Sequence, residues 1–362
     1  MLTKPVLPPV VDPERITPDW LSDVLHADGT LPESVRVAAI ERSTMSGGAI
    51  AHTLRLRPTY DAPAPDAPTS VVAKFPAVDE QPRALATMAG LYIREVRFYQ
   101  EFADEVGMRV PHCHAAYLDP ENNGFALVLE DITDATEHDQ DDPYPPEDVL
   151  LALRQLALLH RSHWNSEKLA ESDWLNRLDG PALPGWEGLF RASWQEFTAR
   201  DEVILDQDLR ELGNLFCTKG FSRWLGSAGG PRTLTHADFH VSNMLFRNGT
   251  RGRELVTLDW QLAMRSNPML DVAYFLGRMP TDLRRAEEQD LVRLYHEALA
   301  IPDYAWSDCW TDYRRWAWYG LVSSLIAVIG TPMTPEEAHL YGAKVTRYLA
   351  QAADLNSADF LR

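Results

Sequence analysis

Residues 234–246 read LTHADFHVSNMLF. His236, Asp238, His240 and Asn243 fall within eight residues, between two short apolar runs. A cluster of this kind serves a surface turn, a metal site or a catalytic loop, and the three make different demands on the rest of the chain. His236, Asp238 and Asn243 are spaced H-x-D-x-x-x-x-N, and Asp259 follows Asn243 by 16 residues at the end of the apolar run LVTL. That is the spacing of a phosphotransfer loop. An Asp beside the acceptor hydroxyl can take its proton, while an Asn and a second Asp hold the magnesium ions that bridge nucleotide phosphates. Magnesium prefers hard oxygen ligands, so Asn243 and Asp259 are the candidates to hold it.

Such a loop also needs a cation on the phosphates. Lys74 stands inside SVVAKFP, a strand-like run, and Glu95 lies 21 residues on, in the helical stretch REVRFY, where it can fix the ammonium. Ser46, Gly47 and Gly48 join two strand-like runs, and glycines there let backbone N–H groups approach phosphates. Taken singly, these are a solvated strand-end lysine, a helix-surface charge, a hairpin turn and a strand-end aspartate. Together they occur in the order, and on the element types, that phosphoryl transfer requires.

The surrounding pattern supplies two lobes. ITPDWLSDVLHADG reads as a helix capped by Thr17, with Pro18 in its first turn and Gly29 at its end. VRVAAIERS, AIAHTLRLRP and SVVAKFP alternate as strands, and CHAAYLD and FALVLEDI add two more after a helix over Arg83 to Asp104. The acidic, Pro-containing DATEHDQDDPYPPED reads as a linker. Helices dominate beyond it, among them LLALRQLALLHRSHW and WQEFTARDEVIL, with NMLFR and ELVTLDW as a strand pair. The expectation is an α+β, bilobal fold. A small β-rich N-lobe with one main helix (1–131) precedes a larger, mostly helical C-lobe with the catalytic loop and acceptor pocket (132–362).

Composition narrows the function. A net charge of -19 lacks the basic footprint of nucleic-acid binding. Three cysteines (Cys113, Cys217, Cys309) make neither a disulfide framework nor a zinc module, which suits a reducing cytoplasm. The N-terminus has no signal-peptide pattern, and the apolar run Leu321 to Ile329 is too short to span a bilayer.

The pieces VVAKFP, EVRFY, LVLEDI, LALLHRSHW, LTHADFHVSNMLF, VTLDWQ and PMLDVAYFL, in this order over roughly residues 40 to 280, resemble the aminoglycoside phosphotransferase-like small-molecule kinases. This is a branch of the protein-kinase-like fold, here nearest its choline- and ecdysteroid-kinase-like relatives. The resemblance implies Asp238 as catalytic Asp, Asn243 and Asp259 on Mg2+, and Lys74 on the phosphates of ATP or GTP with Glu95 as its partner. It implies a hinge in Leu127 to Ile132, with Leu129, Glu130, Asp131 and Ile132 along the purine edge. It also implies structural support of the loop by His236 and Asp271. Ala237 departs from the family, which often has Gly there. Trp260-Gln261 replaces the Phe-Gly that follows the metal Asp in protein kinases, and no Ala-Pro-Glu activation segment is present. Both points favour a small-molecule hydroxyl as acceptor, in a monomer or homodimer that needs neither nucleic acid nor membrane.

The acceptor itself stays open: an antibiotic, as in resistance, or a sugar, choline-like or other metabolite alcohol. The run WTDYRRWAWYG and the other tryptophans of the C-lobe are either core or pocket lining. The more remote readings are a metal-dependent hydrolase on H-x-D-x-H, with His112 and His114 as added ligands, and a non-catalytic nucleotide-binding pseudokinase. The hydrolase lacks further downstream ligands, and the pseudokinase would have lost one of Lys74, Asp238 or Asp259. His112 and His114 read more simply as ordinary strand histidines.

Overall fold

The computed structural model describes residues 13–45, 50–119, 124–138, 144–178, 183–250, 252–328 and 333–362. Thr17 turns its hydroxyl to the Trp20 N–H and Gly29 takes the left-handed conformation, so α1 spans Pro18–Asp28 between the caps its sequence calls for. The alternating runs become β1 (Val37–Thr44), β2 (Ala51–Tyr60), β3 (Val71–Pro76), β4 (Cys113–Asp119) and β5 (Gly124–Glu130). They pair antiparallel in the order β1-β2-β3-β5-β4. Leu54, Leu56, Val71, Ala73, Phe75, Ala126 and Val128 join Trp20, Leu21, Val24 and Leu25 of α1 in one buried cluster. Lys74 sits between Ala73 and Phe75, and the two-residue period of a strand sends it to the opposite face.

The single helix expected over Arg83 to Asp104 is two, α2 (Glu80–Met88) and α3 (Leu91–Glu101). Gly90 stands between them with φ of 68°, a conformation that other residues rarely adopt. The Arg94 guanidinium donates to the Ala89 carbonyl at the break (2.6 Å). Helices α1 and α3 pack on the sheet, and α2 packs on α3.

The helical part begins with α4 (Pro146–Ser162), α5 (Glu167–Glu171), α6 (Leu183–Thr198) and α7 (Gln207–Leu215), which runs through a π-turn into α8 (Phe221–Gly226). The helix expected over WQEFTARDEVIL stops at Thr198, where Arg200 N–H tightens onto the Phe197 carbonyl (3.3 Å). Then come β6 (Thr233–Thr235), the pair β7 (Met244–Gly249) and β8 (Gly252–Thr257), and β9 (Met264–Ser266), which pairs antiparallel with β6. Helices α9 (Met269–Gly277), α10 (Thr281–Leu299), α11 (Trp306–Trp316), α12 (Tyr319–Val328) and α13 (Pro335–Asp354) complete the chain. All nine residues of α9 are buried, as an all-round apolar helix requires. Gly320 lets α12 approach α13, since a β-carbon there would meet the Tyr348 ring at 2.0 Å.

The chain divides into two units. One holds the described residues up to Thr136 together with Leu245–Leu262; the other holds Glu137–Met244 and Ala263–Arg362. A division at 131/132 is contiguous in sequence, whereas residues 245–262 return to the first unit. Trp260 stacks on Phe98 of α3 (3.7 Å, 3°), Thr257 N–H donates to the Arg109 carbonyl (3.0 Å), and Phe246 bridges to Thr136. In the second unit the aromatic run is core. Tyr313, Trp316, Trp318 and Tyr319 are buried, and Trp318 stacks on Phe216 (4.4 Å, 11°). Of the acidic linker, His138 is tied to buried Asp148 (2.7 Å), and residues 139–143 lie outside the described residues. No described helix is long and apolar enough to cross a membrane.

Candidate active site

In the first unit, Lys74 on β3 lies opposite Thr53 of β2 and Leu127 of β5, inside the sheet. Its Nζ is 2.5 Å from Glu95 Oε1 of α3 and 3.9 Å from Asp259 Oδ1. Burial works against the ammonium, but Glu95 and Asp259 outweigh it and raise the Lys74 pKa, so the side chain stays a cation. Helix α3 also holds the segment that carries Asp259. Arg94 Nε donates to the Gln261 carbonyl (2.8 Å) and Phe98 stacks on Trp260, so residues 94, 95 and 98 fix both the lysine and the aspartate. Asp259 has φ of 63°, and its Oδ2 accepts from the Gln261 side chain (3.2 Å). Its Oδ1 is buried with no hydrogen-bond partner among the described residues. Such an oxygen costs about 1–3 kcal/mol if nothing meets it. A hard divalent cation is a partner that suits it.

The stretch expected as a hinge, Leu127 to Ile132, lies in the same unit. Leu129 and Ile132 are buried. Asp131 accepts from Arg55 Nε (2.6 Å), Arg55 Nη2 (3.0 Å) and Ser70 Oγ (2.6 Å), while Glu130 pairs with Arg109 and accepts the His112 N–H (3.0 Å). Both acidic side chains are thus held by the protein. Ser46, Gly47 and Gly48 lie outside the described residues.

In the second unit, the loop after β6 is pinned from beneath. Asp271, on α9 and fully buried, accepts the His236 N–H (2.8 Å) and the Ala237 N–H (2.7 Å). It also meets His160 Nε2 (3.1 Å), whose Nδ1 faces the Tyr295 hydroxyl (2.7 Å). Ala237 has φ of 64°, the left-handed region that would suit a glycine, and Tyr319 O–H donates to its carbonyl (2.7 Å). Both ends of that residue are held, which offsets the ~1–2 kcal/mol that a β-carbon costs there. His236 Nδ1 accepts the Asp238 N–H (3.2 Å), so its proton sits on Nε2. Replacing Asp271 by Ala leaves two buried N–H groups and His160 without their acceptor. We expect a loss of about 3 kcal/mol or more, read as a lower denaturation midpoint in urea.

Three side chains converge on the Asp238 carboxylate, and a fourth backs one of them. Tyr274 O–H donates to Oδ1 (3.1 Å), Asn243 Nδ2 donates to Oδ2 (3.2 Å), and His240 Nε2 is 3.4 Å from Oδ1. Arg278 donates to the Tyr274 hydroxyl (3.2 Å). His240 Nδ1 accepts the Ser242 N–H (3.3 Å), which leaves its proton on Nε2, toward Asp238. Burial opposes the Asp238 charge, but His240, His236 and the Arg278 guanidinium outweigh it and hold the carboxyl well below the usual carboxylate range. Burial also pushes His240 below its usual value, against the pull of Asp238, so it is neutral at pH 7. The lasting positive charge near Asp238 is therefore Arg278. With its amide nitrogen on Asp238, Asn243 keeps its amide oxygen for another partner.

A family model for the ecdysteroid kinase-like family matches residues 50–301, more than half of the chain. The chain belongs to the ecdysteroid kinase-like family. By that membership it is an enzyme of the small-molecule kinase class. No curated protein matches it. Among solved structures, a candidate aminoglycoside phosphotransferase from Ralstonia eutropha JMP134 is similar over 93% of this chain and 98% of that one, at 15% identity and a TM-score of 0.56. A mutant aminoglycoside 2'-phosphotransferase-IIIa in complex with GDP is similar over 90% and 93%, at 13% identity and a TM-score of 0.53. A choline kinase from Cryptosporidium parvum is similar over 93% and 96%, at 11% identity and a TM-score of 0.52. At these identities the likeness is one of fold, and the fold is kinase-like.

Within this kinase-like frame, the structure brings Lys74, Glu95 and Asp259 together in the first unit, and His236, Asp238, Asn243 and Asp271 in the second. Sequence reasoning missed Arg94, Tyr274, Arg278 and Tyr319, and took His240 only as a ligand of the hydrolase alternative. Two had a local signal: His240 is two residues beyond Asp238, and Tyr274 is three beyond Asp271, one turn along the same helix. Tyr319 is tied to its loop across 82 residues and Arg94 to Gln261 across 167, and no sequence pattern marks such pairs.

Proposed function

We propose that the protein is a Mg2+-dependent O-phosphotransferase that moves the γ-phosphoryl group of ATP or GTP to a hydroxyl of a small molecule. The observation that carries this reading is the Asp238 carboxyl group, held by Tyr274 and Asn243 on a loop pinned by Asp271. In the reaction the acceptor oxygen forms a bond to the γ-phosphorus, the bond from that phosphorus to the bridging oxygen breaks, and ADP or GDP departs. The acceptor proton passes to Asp238 and then to solvent. Asp238 orients the hydroxyl and accepts its proton. Lys74, fixed by Glu95, meets the nucleotide phosphates. Asn243, through its amide oxygen, and Asp259, through an Oδ1 that has no hydrogen bond, are each assigned to magnesium, which would supply charge neutralisation on the phosphates. The backbone of residues 129–132 is assigned to the purine, since the side chains of Glu130 and Asp131 are already engaged.

For the acceptor, we place an antibiotic hydroxyl first, with a choline-like or sugar alcohol second. The similarity to proteins named as an aminoglycoside phosphotransferase and a choline kinase supports that order of trial. The donor nucleotides and the cysteines Cys113, Cys217 and Cys309, none of them in a disulfide, fit a reducing cytoplasm. The test is calorimetric titration with ATP and GTP, with and without magnesium. Binding is expected only with the metal. Lys74→Ala is expected to weaken it by about tenfold or more, as the loss of a charge-assisted contact does. Equal binding in EDTA would remove the metal from the account.

A further inference from the structure

Apart from the phosphotransfer residues, Asp28, His112 and His114 form a second cluster, within the first unit. Asp28 ends α1, and its side chain is 2% exposed. Its Oδ2 lies 2.9 Å from His112 Nε2 and 2.7 Å from His114 Nδ1. The three ligand atoms are within 4.8 Å of one another. A bulge in β4 aims the second histidine. The register passes from Cys113 opposite Leu129 to Ala115 opposite Val128, so His114 is the extra residue. The His114 side chain is 5% exposed and that of His112 is 49% exposed, which gives the cluster a buried floor and an open side.

We propose that these residues form a binding site for a first-row transition-metal dication such as Zn2+ or Ni2+. Two imidazole nitrogens and one carboxylate oxygen are a donor set that suits such ions and not magnesium. In a tetrahedral zinc site, bonds of 2.0–2.1 Å set neighbouring ligand atoms about 3.3 Å apart. The present hydrogen-bonded spacing therefore needs to open by only about half an ångström. The cation takes the place of the two hydrogen bonds: each ring binds as neutral imidazole, with its one proton on the nitrogen away from the metal and any second proton released to solvent. The position also favours a cation. Asp28 stands at the C-terminal end of α1, where the helix dipole is negative. Thr30 Oγ1, 3.4 Å from His114 Nδ1, is a further oxygen beside the site. A bound ion would link the end of α1 to β4, on elements that carry none of the phosphotransfer residues.

The test uses the untagged full-length protein. Zinc affinity is measured against a chromophoric chelator, and Co2+ reports the ligand set through its visible absorption. We expect one tight site, a higher thermal midpoint with zinc, and a Co2+ spectrum typical of mixed nitrogen and oxygen ligands. His112→Ala, which removes a half-exposed ring and spares the core, is expected to weaken zinc at least about tenfold and abolish the midpoint shift. Asp28→Asn is expected to do the same. Magnesium-supported turnover without zinc should be unchanged in His112→Ala. Binding of equal strength in wild type and His112→Ala, or none below millimolar zinc, overturns the proposal.

Discussion

Replacing Asp238 by Ala lowers turnover by at least about a hundredfold while nucleotide affinity stays near its wild-type value. The asymmetry follows from what the carboxylate touches. Its partners are Tyr274, Asn243 and His240, all in the second unit, whereas Lys74 and Glu95 belong to the first. Removing it leaves the cation at Lys74 intact and deprives the acceptor hydroxyl of its orienting group. It also leaves the Tyr274 hydroxyl and the Asn243 amide without their acceptor. Asp238→Asn therefore accompanies it: the amide oxygen keeps the Tyr274 bond, the charge is gone, and turnover should still collapse. Steady-state kinetics and calorimetry on the same preparations check both halves. Full activity in either variant would sink the catalytic assignment.

The second large effect is expected at Asp259. Its Ala variant should lose magnesium-dependent nucleotide binding altogether, since the buried Oδ1 is the oxygen assigned to the ion. Ala at φ of 63° adds backbone strain, so loss of binding alone would be ambiguous. Asn tolerates that conformation better and carries an oxygen but no charge. Asp259→Asn should fold with a midpoint near wild type and bind magnesium nucleotide far more weakly. Calorimetry with magnesium and then with EDTA separates the two forms. An affinity unchanged from wild type in Asp259→Asn would refute the metal role.

How much of this was legible depended on range. Thr17, Pro18 and Gly29 set α1 by local capping chemistry. The alternation of SVVAKFP placed Lys74 on the face opposite Ala73 and Phe75, because a strand offers only two faces. The motif of residues 236–243 is compact because one short loop carries it. What stayed hidden is non-local or too short to have a period. Three-residue β6 and β9 give no alternation to read. The break at Gly90 looked like an interior glycine of a longer helix until its positive φ was seen. The tryptophans of α11 and the turn after it left both pocket and core open, with core favoured; Trp316 and Trp318 are buried, while Trp306 and Trp310 are half-buried. His112 and His114 were visible as a pair, but their partner Asp28 is 84 residues from His112.

The central claim is phosphoryl transfer to a small-molecule hydroxyl, and one measurement addresses it directly. Purified protein is incubated with magnesium, ATP or GTP and a panel of aminoglycosides, macrolides, nucleoside antibiotics, amino sugars and choline, and the products are read by mass. The account predicts an acceptor heavier by one phosphoryl group with the wild-type protein, and none with Asp238→Ala. A product formed equally by both proteins, or a wild-type protein that neither modifies an acceptor nor binds magnesium nucleotide, would contradict it.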